Sequence, residues 1–191
     1  MGRDKGLVQF KGIPLVAIVR DLLRSVTDEV IVSVRRGMVS QYRSVLGPST
    51  LIVEDLHDGL GPMEGLSRAL PLCKGAYAVV APCDTPFLKP GVCRLVADTA
   101  QGHDGAVPRV RGYLEPLHGA YRTDAAEAVF GESIRRGVLK PQEILDRLDI
   151  ALVEEDEILK VDPKLDSFRN LNTPEDLRKA EETVGRGIHT S

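Results

Sequence analysis

The chain has 191 residues, enough for one domain with a full core and short for two, and its 42% hydrophobic and 28% charged residues are ordinary for a soluble globular protein. A formal net charge of −3 gives no global reason to expect nucleic acid or an acidic membrane surface as a partner. No run approaches the ~20 apolar residues that a membrane span needs, and no signal peptide precedes the first expected helix, so the sequence reads as cytoplasmic. Cys73, Cys83 and Cys93 cannot all pair and match no zinc spacing; they read as buried thiols of a reducing compartment.

In chain order, a polar, glycine-containing start (Met1 to Gly6) leads to a short apolar piece, Leu7–Phe10, and a turn at Lys11-Gly12. Apolar residues at 15, 16, 18, 19, 22, 23 and 26 predict a helix from Leu15 to Val26, with Pro14 near its first turn, where a missing N–H costs little. Val30–Val34 is a β-branched strand, Arg35-Arg36 read as its solvated end, and a short helix runs to Val45. Leu51–Glu54 is a second strand, ending at Asp55. The loop Leu56–Pro62 holds Gly59 and Gly61 and precedes a helix to Leu72. Such a helix start suits a phosphate or sugar oxygen, and it equally fits an ordinary strand-to-helix loop.

Tyr77–Ala81 is a short apolar run of the kind buried on both faces of a parallel sheet, stopped by Pro82. Asp84 then stands at the carboxyl end of that strand, the edge of an open α/β sheet where ligands bind. A carboxylate there suits a divalent metal or a ribose, and it also suits a turn or helix cap. A helix follows over Pro90–Ala100, then strands Gly105–Arg109 and Leu114–Tyr121 joined in a hairpin by the turn Val110–Tyr113. Helices at Ala125–Arg135 and Pro141–Leu148, a strand Ile150–Glu154 and an extended Phe168–Asn172 lead to a final helix. Thr173 is its N-cap with Pro174 at the first position; it ends near Val184, before a frayed tail Gly185–Ser191. Alternating strands and helices predict a single three-layer α/β domain over residues 1–191, its sheet mostly parallel with one antiparallel strand.

Six stretches together resemble the MobA-like nucleotidyltransferases, the guanylyltransferases that attach GMP to molybdopterin. Met1-Gly2-Arg3-Asp4-Lys5 is similar to the end of that family's N-terminal signature, L-A-G-G-x-S-x-R-M-G-x-D-K. Asp55 matches its base-side aspartate, Gly61-Pro62-Met63-Glu64-Gly65 its G-P-L-x-G loop, and Cys83-Asp84-Thr85-Pro86-Phe87 its C-D-x-P-[FY] metal motif. Glu115-Pro116-Leu117-His118 and Asn170 to Leu177 match E-P-L-H and N-x-N-T-P-E-D-L. Each motif alone is weak; six in register over nearly the whole chain are specific.

The resemblance implies a Rossmann-like nucleotidyltransferase fold and transfer of GMP from GTP to the phosphate of molybdopterin, with Mg2+ as cofactor and pyrophosphate released. It implies Lys5 and Asp84 as catalytic residues and Asp84 as metal ligand. Lys5, Ser33, Asp55, Gly61 and Asp84 would bind the nucleotide, and Asn170 and Asn172 the acceptor. It also implies no nucleic acid or membrane partner, and a possible protein that delivers the cofactor. Because the acceptor phosphate is already ionised at neutral pH, positioning and charge neutralisation carry such a reaction without a strong base. Two departures stand out. The family's first strand and glycine-rich loop are expected upstream of Met1, and Glu64 places a negative charge in the first turn after the loop, where it either favours a metal or repels a phosphate. The alternatives are a sister enzyme using CTP or another phosphorylated acceptor, and a truncated, non-catalytic nucleotide-binding domain.

Overall fold

Residues 4–186 are described in the computed structural model; Met1, Gly2 and Arg3 of the first motif and residues 187–191 of the expected tail lie outside them. The chain starts in a 3-10 turn, Lys5–Leu7, and a small hairpin of β1 (Gln9–Phe10) and β2 (Ile13–Pro14). Helix α1 (Leu15–Leu23) follows and stops before Val26, because Ser25 and Thr27 donate their hydroxyls to the carbonyls of Leu22 and Leu23 at 2.6 and 2.9 Å. Such hydroxyls compete with the backbone for the last helical acceptors. Strands β3 (Ile31–Val34) and β4 (Leu51–Glu54) pair in parallel, Ile31 opposite Leu51, through helix α2 (Val39–Leu46). Both strands fall where the β-branched runs predict.

Helix α3 (Pro62–Ala69) leads to β5 (Tyr77–Val79), and α4 (Pro90–Thr99) to β6 (Gly105–Val110). The stretch read as one strand over Leu114–Tyr121 is instead β7 (Tyr113–Leu114), a 3-10 turn at Pro116–His118, and β8 (Ala120–Arg122). Pro116 cannot donate to a ladder, and the Tyr121 hydroxyl donates to its carbonyl at 2.7 Å, holding the chain in the turn. Helix α5 (Thr123–Arg135), a 3-10 segment at Pro141–Arg147, β9 (Ile150–Val153) and a four-residue α6 (Glu155–Ile158) follow; α7 (Pro174–Arg186) ends the described chain, two residues beyond the expected Val184. The segment predicted as a helix to Leu148 is thus 3-10.

The main sheet is mixed: β8 lies between β5 and β6 and runs antiparallel to both, β9 runs parallel to β6, and β7 closes a two-residue hairpin on β6. On one face, α4 packs Val92 and Val96 onto Ala106, Val110, Ala120 and Val153. On the other, Met63 of α3 and Phe130 of α5 pack onto Val107 and Tyr121. These three layers are the architecture that alternating elements predict.

Tyr77 to Pro82 are half-buried, not enclosed on both faces as the apolar run predicts. Among the described residues β5 pairs with β8 alone, and the β3–β4 ladder shares no hydrogen-bonded pairing with the main sheet. Helix α1 bridges the two: Val16 and Ala17 pack with Val34, while Val19 packs with Leu88 and Cys93 beside Val79 and Ala81. Among the described residues no helix is long and apolar enough to cross a membrane.

Candidate functional site

The carboxyl ends of β3, β4 and β5 lie along one edge and carry two groups of polar side chains. β5 ends at Val79, short of the expected Ala81, with the Val80 amide donating to the Gly119 carbonyl at 2.8 Å; beyond it the Thr85 hydroxyl donates to the Pro82 carbonyl at 2.9 Å, which sets the turn that presents Asp84. The Asp84 carbonyl accepts the Leu171 amide at 2.9 Å and so ties down the segment before α7. That segment ends in a reciprocal cap, with Asp176 N–H donating to Thr173 Oγ1 at 3.0 Å and Thr173 N–H donating to the Asp176 carboxylate at 2.8 Å, as the Thr-Pro-Glu-Asp pattern predicts. Its other end is braced by Arg169 over the Phe87 ring, 5.4 Å from the centroid.

Three sequence-predicted residues meet here. The Lys5 ammonium donates to Asn172 Oδ1 at 2.7 Å and lies 3.4 Å from Asp84 Oδ2. Asp84 is 13% exposed, whereas Lys5 is about half exposed, so the ammonium reaches solvent from a partly desolvated carboxylate. Asn170 is exposed on the same segment and is not joined to this cluster by a direct bond. Two oxygens from distant parts of the chain thus already converge on one cation, which is the donor set a hard divalent ion prefers. No group of three or more His, Cys, Asp or Glu side chains converges among the described residues. A metal at Asp84 would therefore draw on one carboxylate, the amide oxygen and ligand or water oxygens, a set that fits Mg2+.

The second group lies on β3, β4 and α3. Ser33, exposed on β3, donates to Asp55 Oδ1 at 3.2 Å, and the Asp55 amide donates to the Val34 carbonyl at 2.9 Å. Burial pushes the Asp55 carboxyl above its ordinary value; the Ser33 hydrogen bond works against that, and the neighbouring charge of Glu64 adds to it. Gly61 precedes Pro62, and its carbonyl accepts the Glu64 amide at 3.2 Å, turning the loop into α3. Gly65 faces Ser33 so closely that a Cβ there would stand 2.7 Å from Ser33 Oγ. Glu64 points back onto the loop rather than out over it. Its side chain is 3% exposed and turns back onto its own loop, accepting the Leu56 amide at 2.9 Å and the His57 amide at 3.4 Å.

Sequence reasoning missed part of the site. Arg35, read as a solvated strand end, donates Nε and Nη2 to Asp4 at 3.0 and 2.8 Å, and the buried Tyr42 donates its hydroxyl to the same carboxylate. The Asp-Lys pair of the first signature pointed to Asp4; nothing local pointed to Tyr42. His118 is buried, its ring 4.9 Å from that of Phe168, and neither ring nitrogen has a hydrogen-bond partner among the described residues. All three cysteines are free; Cys93 is buried, whereas Cys73 and Cys83 are half-buried rather than enclosed as expected, and burial pushes the Cys83 thiol up to about 12 and Cys93 to about 11.

Residues 1–149 match the profile of the MobA-like NTP transferase domain. A probable molybdenum cofactor guanylyltransferase of Natronomonas pharaonis is 33% identical over 95% of this chain and 90% of its own. The molybdenum cofactor guanylyltransferase of Pseudomonas paraeruginosa is 34% identical over 95% of this chain and 87% of its own. Among solved structures, the molybdopterin-guanine dinucleotide biosynthesis protein A of Archaeoglobus fulgidus superposes with a TM-score of 0.81 at 29% identity, over 97% of this chain and 92% of that one. A 2-C-methyl-D-erythritol 4-phosphate cytidylyltransferase of Thermus thermophilus, at TM-score 0.69 and 20% identity over 95% and 93% of the two chains, shares the fold.

Proposed function

The chain belongs to the MobA-like NTP transferase family, and on that premise we propose that it transfers GMP from GTP to the phosphate of molybdopterin, with Mg2+ as cofactor and pyrophosphate as leaving group. The observation that carries this reading is the meeting of Lys5, Asp84 and Asn172, drawn from three separate signatures 79 and 167 residues apart, at the carboxyl edge of the sheet. The relatives' names support guanylyl transfer over the cytidylyl transfer of the more distant neighbour.

In this reading an acceptor phosphate oxygen attacks the α-phosphorus. A new P–O bond forms, the bond to the bridging oxygen breaks, and pyrophosphate leaves with that electron pair. The acceptor is ionised at neutral pH because the second pKa of a phosphate monoester is about 6, so no side chain has to remove a proton. Lys5 then works as a point charge against phosphate oxygens. Asp84 and Asn172 would hold Mg2+ through their oxygens, and the ion would supply further neutralisation of phosphate charge. Asp55 accepts the N1–H and N2–H of guanine, oriented by Ser33, while Gly61 brings the α3 N-terminus close to the nucleotide. Asn170, with Asn172, faces the acceptor. The free thiols support a reducing, cytoplasmic setting, and a protein that hands over the cofactor remains part of the proposal.

The test is pyrophosphate release by the purified chain with molybdopterin and GTP, CTP or ATP, in Mg2+ and in EDTA, beside a thermal-shift titration of each nucleotide. Mg2+-dependent turnover with GTP alone is expected. Preference for CTP would overturn the base assignment, and a GTP-dependent thermal shift without pyrophosphate release would identify a nucleotide-binding domain that does not catalyse.

A further inference from the structure

Lys5 sits between Asp84 and Asn172 on a short 3-10 turn at the start of the described chain, a place where a long side chain ordinarily has many rotamers to choose from. Its backbone is held by the residue before it. Asp4 caps the turn, accepting the Gly6 amide at 3.2 Å on Oδ1, and the same oxygen accepts the Tyr42 hydroxyl. Oδ2 accepts Arg35 Nε and Nη2 at 3.0 and 2.8 Å. Four donors fill the acceptor capacity of that carboxylate, which is 11% exposed. The arrangement fixes Asp4 in one rotamer.

Tyr42 is the pivot. It comes from α2, which contributes nothing else to the site, and is 4% exposed in a cluster with Val16, Ala17, Val34 and Leu46. Cys83, the residue before Asp84, packs against the same cluster. The tyrosine hydroxyl lies against the Gly6 backbone so closely that no Cβ fits there. One buried ring therefore bears on the neighbours of both Lys5 and Asp84: its hydroxyl on Asp4, beside Lys5, and its packing cluster on Cys83, beside Asp84. A structural strut alone does not need to link these two points, and neither Tyr42 nor Arg35 belongs to any of the six signatures.

We propose that Tyr42, with Asp4 and Arg35, is a positioning network that sets where the Lys5 ammonium stands relative to the Asp84 carboxylate. The inference rests on the nucleotidyl-transfer reading of that site. Arg35 is 67% exposed, so it is the lesser member, and Tyr42, buried and rigid, the greater. Displacing a charged group from its productive place costs rate rather than ground-state binding.

Tyr42→Phe keeps the ring and its packing and removes the hydroxyl, and it is compared with the wild type in both the Lys5 and the Lys5→Ala backgrounds. The expected result is a fall in kcat of about 10-fold with little change in the KM for GTP, and no further fall once Lys5 is Ala. An equal fall in both backgrounds would overturn the proposal, because the hydroxyl would then act without Lys5. A second measurement needs no turnover: the rate of Lys5 acetylation by limiting acetic anhydride, read by mass spectrometry against Lys11. Tyr42→Phe and Asp4→Asn are expected to change that ratio about 3-fold, as a released ammonium gains conformational freedom. An unchanged ratio in both variants overturns the network. A changed ratio in a chain that transfers no GMP would instead remove the guanylyl-transfer reading and keep the network.

Discussion

Glu64 offers the sharpest test of how the base-side loop is held, because it is a buried carboxylate whose acceptor work is done by one atom. Oε1 takes the Leu56 amide at 2.9 Å and the His57 amide at 3.4 Å, and lies 3.3 Å from His57 Nδ1. His57 is 68% exposed, so that pair adds little, and the backbone bonds decide the outcome. Glu64→Gln can place its amide oxygen where Oε1 stood and keep both bonds without the charge. A hydrogen bond to a charged group is worth roughly 1.5–3 kcal/mol and a neutral one about 1, so the expected loss is about 1 kcal/mol. Glu64→Leu removes the acceptor and leaves the Leu56 amide unpaired, at about 2 kcal/mol. In a chain of this size each kcal/mol lowers Tm by about 2–4 °C, so the two variants should melt about 2–4 and 4–8 °C below the wild type. Urea titration at constant m reads the same order. A Glu64→Leu protein as stable as the wild type, or a Glu64→Gln protein as weak as Glu64→Leu, would refute the loop-holding role.

Gly65→Ala would put a Cβ 2.7 Å from Ser33 Oγ and displace the serine from Asp55; the lost intramolecular bond, worth about 1.5–3 kcal/mol, should lower Tm, and Asp55 without the group that orients it should raise the KM for GTP, as melting curves and steady-state kinetics would read. Two carboxyls set opposite slopes in acid stability. Burial opposes ionisation of Asp4, but the hydrogen bonds from Tyr42 and Arg35 outweigh it and hold its pKa below the ordinary 3.8. Its contribution is therefore present above that value and lost as pH falls through the folded-state pKa, and Asp4→Asn should flatten the acid limb of a urea-stability profile. Asp55 runs the other way: burial raises its pKa above 3.8, so its contribution is present below that value and lost as pH rises through the folded-state pKa. Asp55→Asn should remove that decline, and a steeper decline in the variant would reverse the assignment.

Much of the fold was legible because it depends on neighbours in sequence. The β-branched runs marked β3 and β4, helical spacing with Pro90 marked α4, and the Thr173-Pro174-Glu175-Asp176 pattern marked the start of α7 with its reciprocal cap. The six signatures in order pointed to Lys5, Asp55, Asp84 and Asn172, and the family resemblance to Ser33; that Ser33 bonds Asp55 is visible only in the fold. What lay beyond the sequence depends on what stands next to a segment in space. The break of Leu114–Tyr121 at Pro116 came from Tyr121 reaching back to a carbonyl, and the half-burial of Tyr77–Pro82 from a strand paired on one side. Helix periodicity could say that Tyr42 faces inward. It could not say that the hydroxyl would end on Asp4, because a side chain's hydrogen-bond partner is chosen by packing across distant parts of the chain. By itself the sequence marked most of the local elements and singled out candidate site residues; only the tertiary structure decided which of them meet, since a contact 79 or 167 residues apart has no local signal and exists only once the layers have closed.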